Sequence, residues 1–169
     1  MHRKETLILG IGNILMGDEG IGIHAVRRMQ AESFPSGVNL LDGGTGGFHL
    51  LSYFEDYDFI VMIDATMDGK LPGTVTLLQP RFASDFPRTL SAHDIGLRDL
   101  VESASLLHPL PQIYLITVSI ESIQNMRMDL SNPVEQSLPQ IAALVHQVLA
   151  QSSKKCAQTS AAEAQRAAE

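Results

Sequence analysis

Four short runs rich in Ile, Val and Leu limit most strongly what this chain can fold into: Thr6–Ile11, Val38–Leu41, Phe59–Ile63 and Ile113–Val118. Each is apolar over consecutive positions and ends near Gly, Asp or Ser, the pattern of a buried strand. A fifth run, Thr74–Gln79, follows the turn-forming Asp68-Gly69-Lys70-Leu71-Pro72-Gly73. Between the runs, apolar residues recur at helical spacing. The stripes are Ile23, Val26 and Met29; Phe48, Leu51 and Phe54; Leu97, Leu100 and Val101; and Ile141, Leu144, Val145 and Leu149. Strands alternating with helices predict an α/β domain with a largely parallel sheet. Only Asp64–Gly73 separates the third run from Thr74–Gln79. A parallel crossover needs a dozen or more residues, so the Thr74–Gln79 strand is predicted to be antiparallel.

The chain has 169 residues, which suits one domain over 1–150. The remainder, Gln151–Glu169, is rich in Ala, Gln, Ser and Lys and has little to bury. It is predicted to be a mobile, transiently helical tail. The formal net charge is -7. Lys154, Lys155 and Arg166 outnumber Glu163 and Glu169 in the tail, which leaves the body at -8. An acidic body repels phosphate, which argues against a nucleic-acid partner. The single cysteine, Cys156, forms no internal disulfide and suits a reducing, cytoplasmic setting. Gly10, Gly12 and Asn13 break the apolar N-terminal run too early for a signal peptide. The longest stretch free of Asp, Glu, Lys and Arg, Ser103–Ile120, holds His108, Pro109 and Pro111. No membrane insertion is expected.

The first strand runs into Gly10-Ile11-Gly12-Asn13-Ile14-Leu15-Met16-Gly17-Asp18-Glu19-Gly20-Ile21-Gly22. A dinucleotide loop would need glycine where Leu15 stands, and Asp18 and Glu19 would repel a pyrophosphate at the next helix's start. Glycines also let the backbone approach a ligand, and two adjacent carboxylates set between them exceed the needs of a capped turn. Asp64 follows four apolar strand residues, at the sheet edge where α/β folds bind ligands; a carboxylate turning the chain into its loop reads equally well there. Ser91 and Asp94 form an S-x-x-D capping pattern that puts His93 in the first turn of the third helix. Glu19, Asp64 and His93 make a set able to bind Ni²⁺, Zn²⁺ or Fe²⁺ with positions left open. No H-E-x-x-H or G-x-S-x-G setting occurs, so zincin and serine-nucleophile chemistry lack support. The run Asp42-Gly43-Gly44-Thr45-Gly46-Gly47 is either a plain strand-to-helix connection or a loop open to a peptide backbone.

Four blocks, in order, resemble the nickel–iron hydrogenase maturation endopeptidases. They are Gly10–Leu15 through Asp18–Gly22, Asp42-Gly43-Gly44-Thr45, Ile63-Asp64-Ala65, and Ser91-x-His93-x-x-Gly96-Leu97. The resemblance covers roughly Leu7 to Leu149. It implies a three-layer α/β/α sandwich around a five-stranded, mostly parallel sheet with one antiparallel strand. It implies metal binding at Glu19, Asp64 and His93, with Glu19 and Asp64 also in the catalytic set. Asp42 is implied as a further carboxylate for proton transfer or positioning. The implied substrate is a nickel-loaded hydrogenase large-subunit precursor whose C-terminal extension is removed, with nickel supplied by that substrate and no organic cofactor. A non-catalytic, nickel-sensing chaperone of the same subunit would use the same three ligands.

Overall fold

The computed structural model describes residues 6–86 and 97–166. β1 (Thr6–Gly10) and β3 (Phe59–Thr66) lie inside a five-stranded sheet of order β2-β1-β3-β5-β4. β2 is Val38–Asp42 and β5 is Gln112–Ser119, and these four strands are parallel. β4 (Val75–Leu78) runs antiparallel on β5, as the short connection from Thr66 to Val75 requires. The register sets Gly10 beside Asp42 on one side and Ile63 on the other, so Asp64 stands one residue beyond the ends of β1 and β2.

The central strands are apolar on both faces because helices cover both. On one face Ile8, Val61, Ile63 and Ile116 pack with α1 (Ile21–Met29) and α5 (Leu138–Arg166). On the other, Leu9, Ile60, Met62 and Leu115 pack with α2 (Leu51–Asp56) and α3 (Leu97–Leu107). Strand alternation assigns each residue its face, which makes the three predicted layers. α4 (Asn132–Glu135) is a single turn opened by Pro133.

Two expectations change. β3 continues through Thr66, so Asp64 is a strand residue and not the first residue of a loop. Its pairing with Thr117 on β5 carries the ladder past Ile63. Phe48 is exposed, and Leu50 and Phe54 face the core instead. A 3-10 turn at Phe48–Leu50 precedes α2 and shifts the phase of the stripe. The segment read as a mobile, transiently helical tail is helical through Arg166, continuing α5. Its Ala, Gln, Lys and Glu residues are strong helix formers even without a surface to bury.

α1 sits unusually close to the sheet. A Cβ on Gly22 would lie 2.3 Å from the carbonyl oxygens of Ile11 and Ile63, and one on Gly10 would lie 2.2 Å from the Gly22 carbonyl oxygen. These neighbours are backbone and cannot swing aside. Gly22→Ala should therefore push α1 off the sheet and cost roughly 3 kcal/mol, at the upper end of overpacking effects. An unchanged urea midpoint would show that the helix can shift without penalty.

Candidate functional site

The β1–α1 connection delivers Glu19 to the carboxyl edge of the sheet. Gly12 takes φ 144°, and a Cβ there would lie 2.1 Å from the Glu19 carbonyl oxygen. Only glycine lets the two backbone segments pass so closely. The Gly17–Gly20 3-10 turn then leads into α1. The Asn13 N–H donates to the Glu19 carboxylate, while the Asn13 side chain accepts from the Leu15 N–H at 2.9 Å. Glu19 is 5% exposed.

Asp64, 6% exposed, comes from β3. It shares strand parity with Ile60 and Met62 and so belongs to the face covered by α2 and α3. The Ala65 N–H donates to its Oδ1 at 2.9 Å. Burial pushes its pKa up to about 7, and the Glu19 charge pushes in the same direction, against the lowering effect of the Ala65 N–H. Two neighbouring buried carboxyls cannot both ionise cheaply. Near neutral pH the pair is poised to hold a proton or to exchange it for a cation.

Glu19 and Asp64, expected at one edge of the sheet, lie there within electrostatic reach of each other. His93 lies outside the described residues, as does the Ser91–Asp94 capping pattern. Among the described residues no three His, Cys, Asp or Glu side chains form a group able to hold a metal. The donor chemistry of the Glu19–Asp64 pair nevertheless suits a divalent ion, because a cation removes the repulsion that raises the Asp64 pKa. Helix α3 starts at Leu97, and its far end lies four residues before β5, at the amino edge. An 11-residue helix spans about 16 Å, which brings Leu97 toward the carboxyl edge where the pair sits.

Asp42 ends β2 and is engaged on both oxygens. Arg27 donates to its Oδ2 from Nη2 at 2.9 Å and from Nε at 3.2 Å. The Gly44 N–H donates to its Oδ1 at 3.0 Å. These contacts tie Asp42 to α1 and to the glycine loop. That loop is also tied to β1, through Gly12 N–H to Gly44 O at 2.9 Å and Gly43 N–H to Gly10 O at 2.8 Å.

Asp18 has a role that its sequence neighbourhood does not disclose. It is 1% exposed and engages the loop between β5 and α4. The Ser131 N–H donates to its Oδ1 at 2.6 Å, and the Gln124 amide donates to its Oδ2 at 3.3 Å. Its own N–H donates to Gln124 Oε1 at 2.9 Å. The adjacent backbone adds Gly17 N–H to Arg127 O at 2.6 Å and Arg127 N–H to Leu15 O at 3.1 Å. Of two consecutive carboxylates, Glu19 joins Asp64 and Asp18 ties down a distant loop. Partners more than a hundred residues away leave no local signal.

Two outcomes follow from these environments. The folded Asp64 carboxyl has a raised pKa, so its stabilising contribution is complete below about pH 4 and is lost as pH rises through about 7. At 1.36 kcal/mol per unit, that loss is on the order of 4 kcal/mol. Metal-free wild type should thus lose stability between pH 5 and pH 8 relative to Asp64→Asn. Parallel melting curves for the two proteins would contradict the raised pKa. Asp18→Ala should cost about 2 kcal/mol by leaving the part-buried Ser131 N–H without its acceptor. Faster hydrogen exchange at Ser131 than in wild type is expected with it, and unchanged protection there would rule out the staple.

Comparison with known proteins places this geometry in context. Residues 23–148 match the family model described as hydrogenase maturation protease. The hydrogenase expression/formation protein HupD of Bradyrhizobium diazoefficiens is 34% identical over 154 residues, covering 88% of this chain and 79% of that one. The hydrogenase 2 maturation protease of Escherichia coli is 31% identical over 148 residues, covering 83% of this chain and 90% of that one. The structure of the hydrogenase maturating endopeptidase HybD from E. coli matches with a TM-score of 0.79 at 30% identity, over 88% of this chain and 93% of that chain.

Proposed function

The chain belongs to the hydrogenase maturation protease family, and from that premise we propose that it removes the C-terminal extension of a nickel-loaded hydrogenase large-subunit precursor. The observation that carries this reading is the buried Glu19–Asp64 pair, whose shared burden of charge favours a divalent cation over two ionised carboxylates. In this proposal nickel arrives inside the substrate. Its insertion into the precursor becomes the signal that the pair reads.

The chain's own groups divide the work. Glu19 and Asp64 bind the substrate's metal, and Asp64 gives up its proton as the cation approaches. His93 is assigned as the imidazole that joins them. Three ligands leave positions for groups of the substrate. A divalent metal held there supplies Lewis-acid polarisation of a neighbouring carbonyl. Asp42, through Arg27 and Gly44, keeps the glycine loop in place beside β1. We assign the reaction to the cytoplasm. The lone cysteine supports that assignment, and among the described residues no helix is long and apolar enough to cross a membrane.

The test uses purified precursor in nickel-loaded and nickel-free forms, with intact mass as the readout. The loaded form should shorten at its C-terminus and the nickel-free form should resist. Equal cleavage of both would remove nickel from the recognition step. Binding without any shortening would point to the chaperone reading instead. Glu19→Gln should abolish shortening while keeping or raising stability at pH 8, because it relieves the like-charge contact with Asp64. Gln retains an acceptor for the Asn13 N–H.

A further inference from the structure

Three exposed apolar residues flank the junction where two loops meet at the same carboxyl edge. Leu15 lies in the loop after β1, and Met126 and Met128 lie in the loop after β5. The loops are joined by a bridge between Met16 and Arg127, and Arg127 spends both its N–H and its carbonyl on that junction. Contact with a partner at this point must therefore come from side chains and not from strand addition at Arg127. Met126 is 88% exposed and holds φ 58°, the only positive φ among the described non-glycine residues. This conformation is costly for a side chain with a Cβ. No packing inside the fold repays it, since the side chain stands in solvent.

We propose that Leu15, Met126 and Met128 form the docking surface for an apolar stretch of the substrate polypeptide beside its scissile bond. The proposal rests on the protease reading given above. An endopeptidase must hold a length of chain across its site, and this patch is continuous with that site through covalent and hydrogen-bonded links. Leu15 lies four residues before Glu19, and Asp18, next to Glu19, grips Gln124, two residues before Met126. The Asp18 staple thus fixes the distance between the platform and the carboxylate pair. The chemistry of the platform selects its occupant. It offers one branched aliphatic and two thioether side chains, and methionine adapts its shape to varied apolar partners. An extended apolar segment would bury these groups. A strongly charged one would gain nothing from them.

The experiment measures cleavage of purified nickel-loaded precursor by wild type, Met126→Ser/Met128→Ser and Leu106→Ser/Leu107→Ser. The last pair is exposed at the end of α3, on the opposite edge of the sheet. The Met126/Met128 variant should raise KM by about tenfold with kcat nearly unchanged, since only apolar contact area is lost. The Leu106/Leu107 variant should behave as wild type. A single Met126→Gly change should raise KM and also raise the melting temperature, because glycine tolerates φ 58° and has no side chain to dock. Wild-type KM in both Met126 variants would overturn the docking surface, and so would a fall in kcat at unchanged KM. Failure of wild type itself to shorten the precursor would instead overturn the protease reading.

Discussion

The close approach of α1 to the sheet is the constraint on which the rest of the site depends. Gly10 and Gly22 remove the side chains that would hold helix and strand apart, and Gly12 lets the chain cross the backbone of Glu19. With ordinary side chains at these positions α1 would stand farther out, carrying Glu19 away from the end of β3. The glycines thus act at a distance on electrostatics. They bring one carboxylate near another, and burial then sets the protonation of the pair.

Much of this architecture could be read from sequence because it rests on short-range patterns. Continuous apolar runs identified the central strands, since helices cover both of their faces. The ten-residue gap Asp64–Gly73 identified the antiparallel edge strand, because a crossover has a minimum length. The convergence of Glu19 and Asp64 followed from the rule that parallel strands end on one edge. The errors also have physical causes. Phe48 was misplaced by a 3-10 turn that changes phase within one residue of a true helix. The helical continuation of α5 rests on intrinsic propensity, since its sequence carries no amphipathic stripe.

Side-chain allegiance was least legible. Asp18 and Glu19 are neighbours of similar chemistry, yet they serve opposite parts of the structure. One accepts hydrogen bonds from a loop that follows β5, and the other adds its charge to the Asp64 site. Asp42 was recognised as close to the site, but its engagement by Arg27 depends on how α1 and β2 lie side by side. Such contacts are decided by tertiary placement. No spacing within the motif distinguishes a carboxylate that joins another carboxylate from one that fastens a loop.

The Asp18 staple also sets an order of assembly. Its partners, Gln124 and Ser131, are made long after the β1–α1 turn that carries it. While the chain is being synthesised, β1, β2 and β3 can pair before either partner exists, because all three precede it in sequence. The buried Asp18 carboxylate then has no loop to hold, and Leu15 has no bridge to β5's outgoing segment. The rim of the site is therefore a late, non-local contact of the kind that slows folding. A nascent chain acquires its sheet first and the rim of its site last.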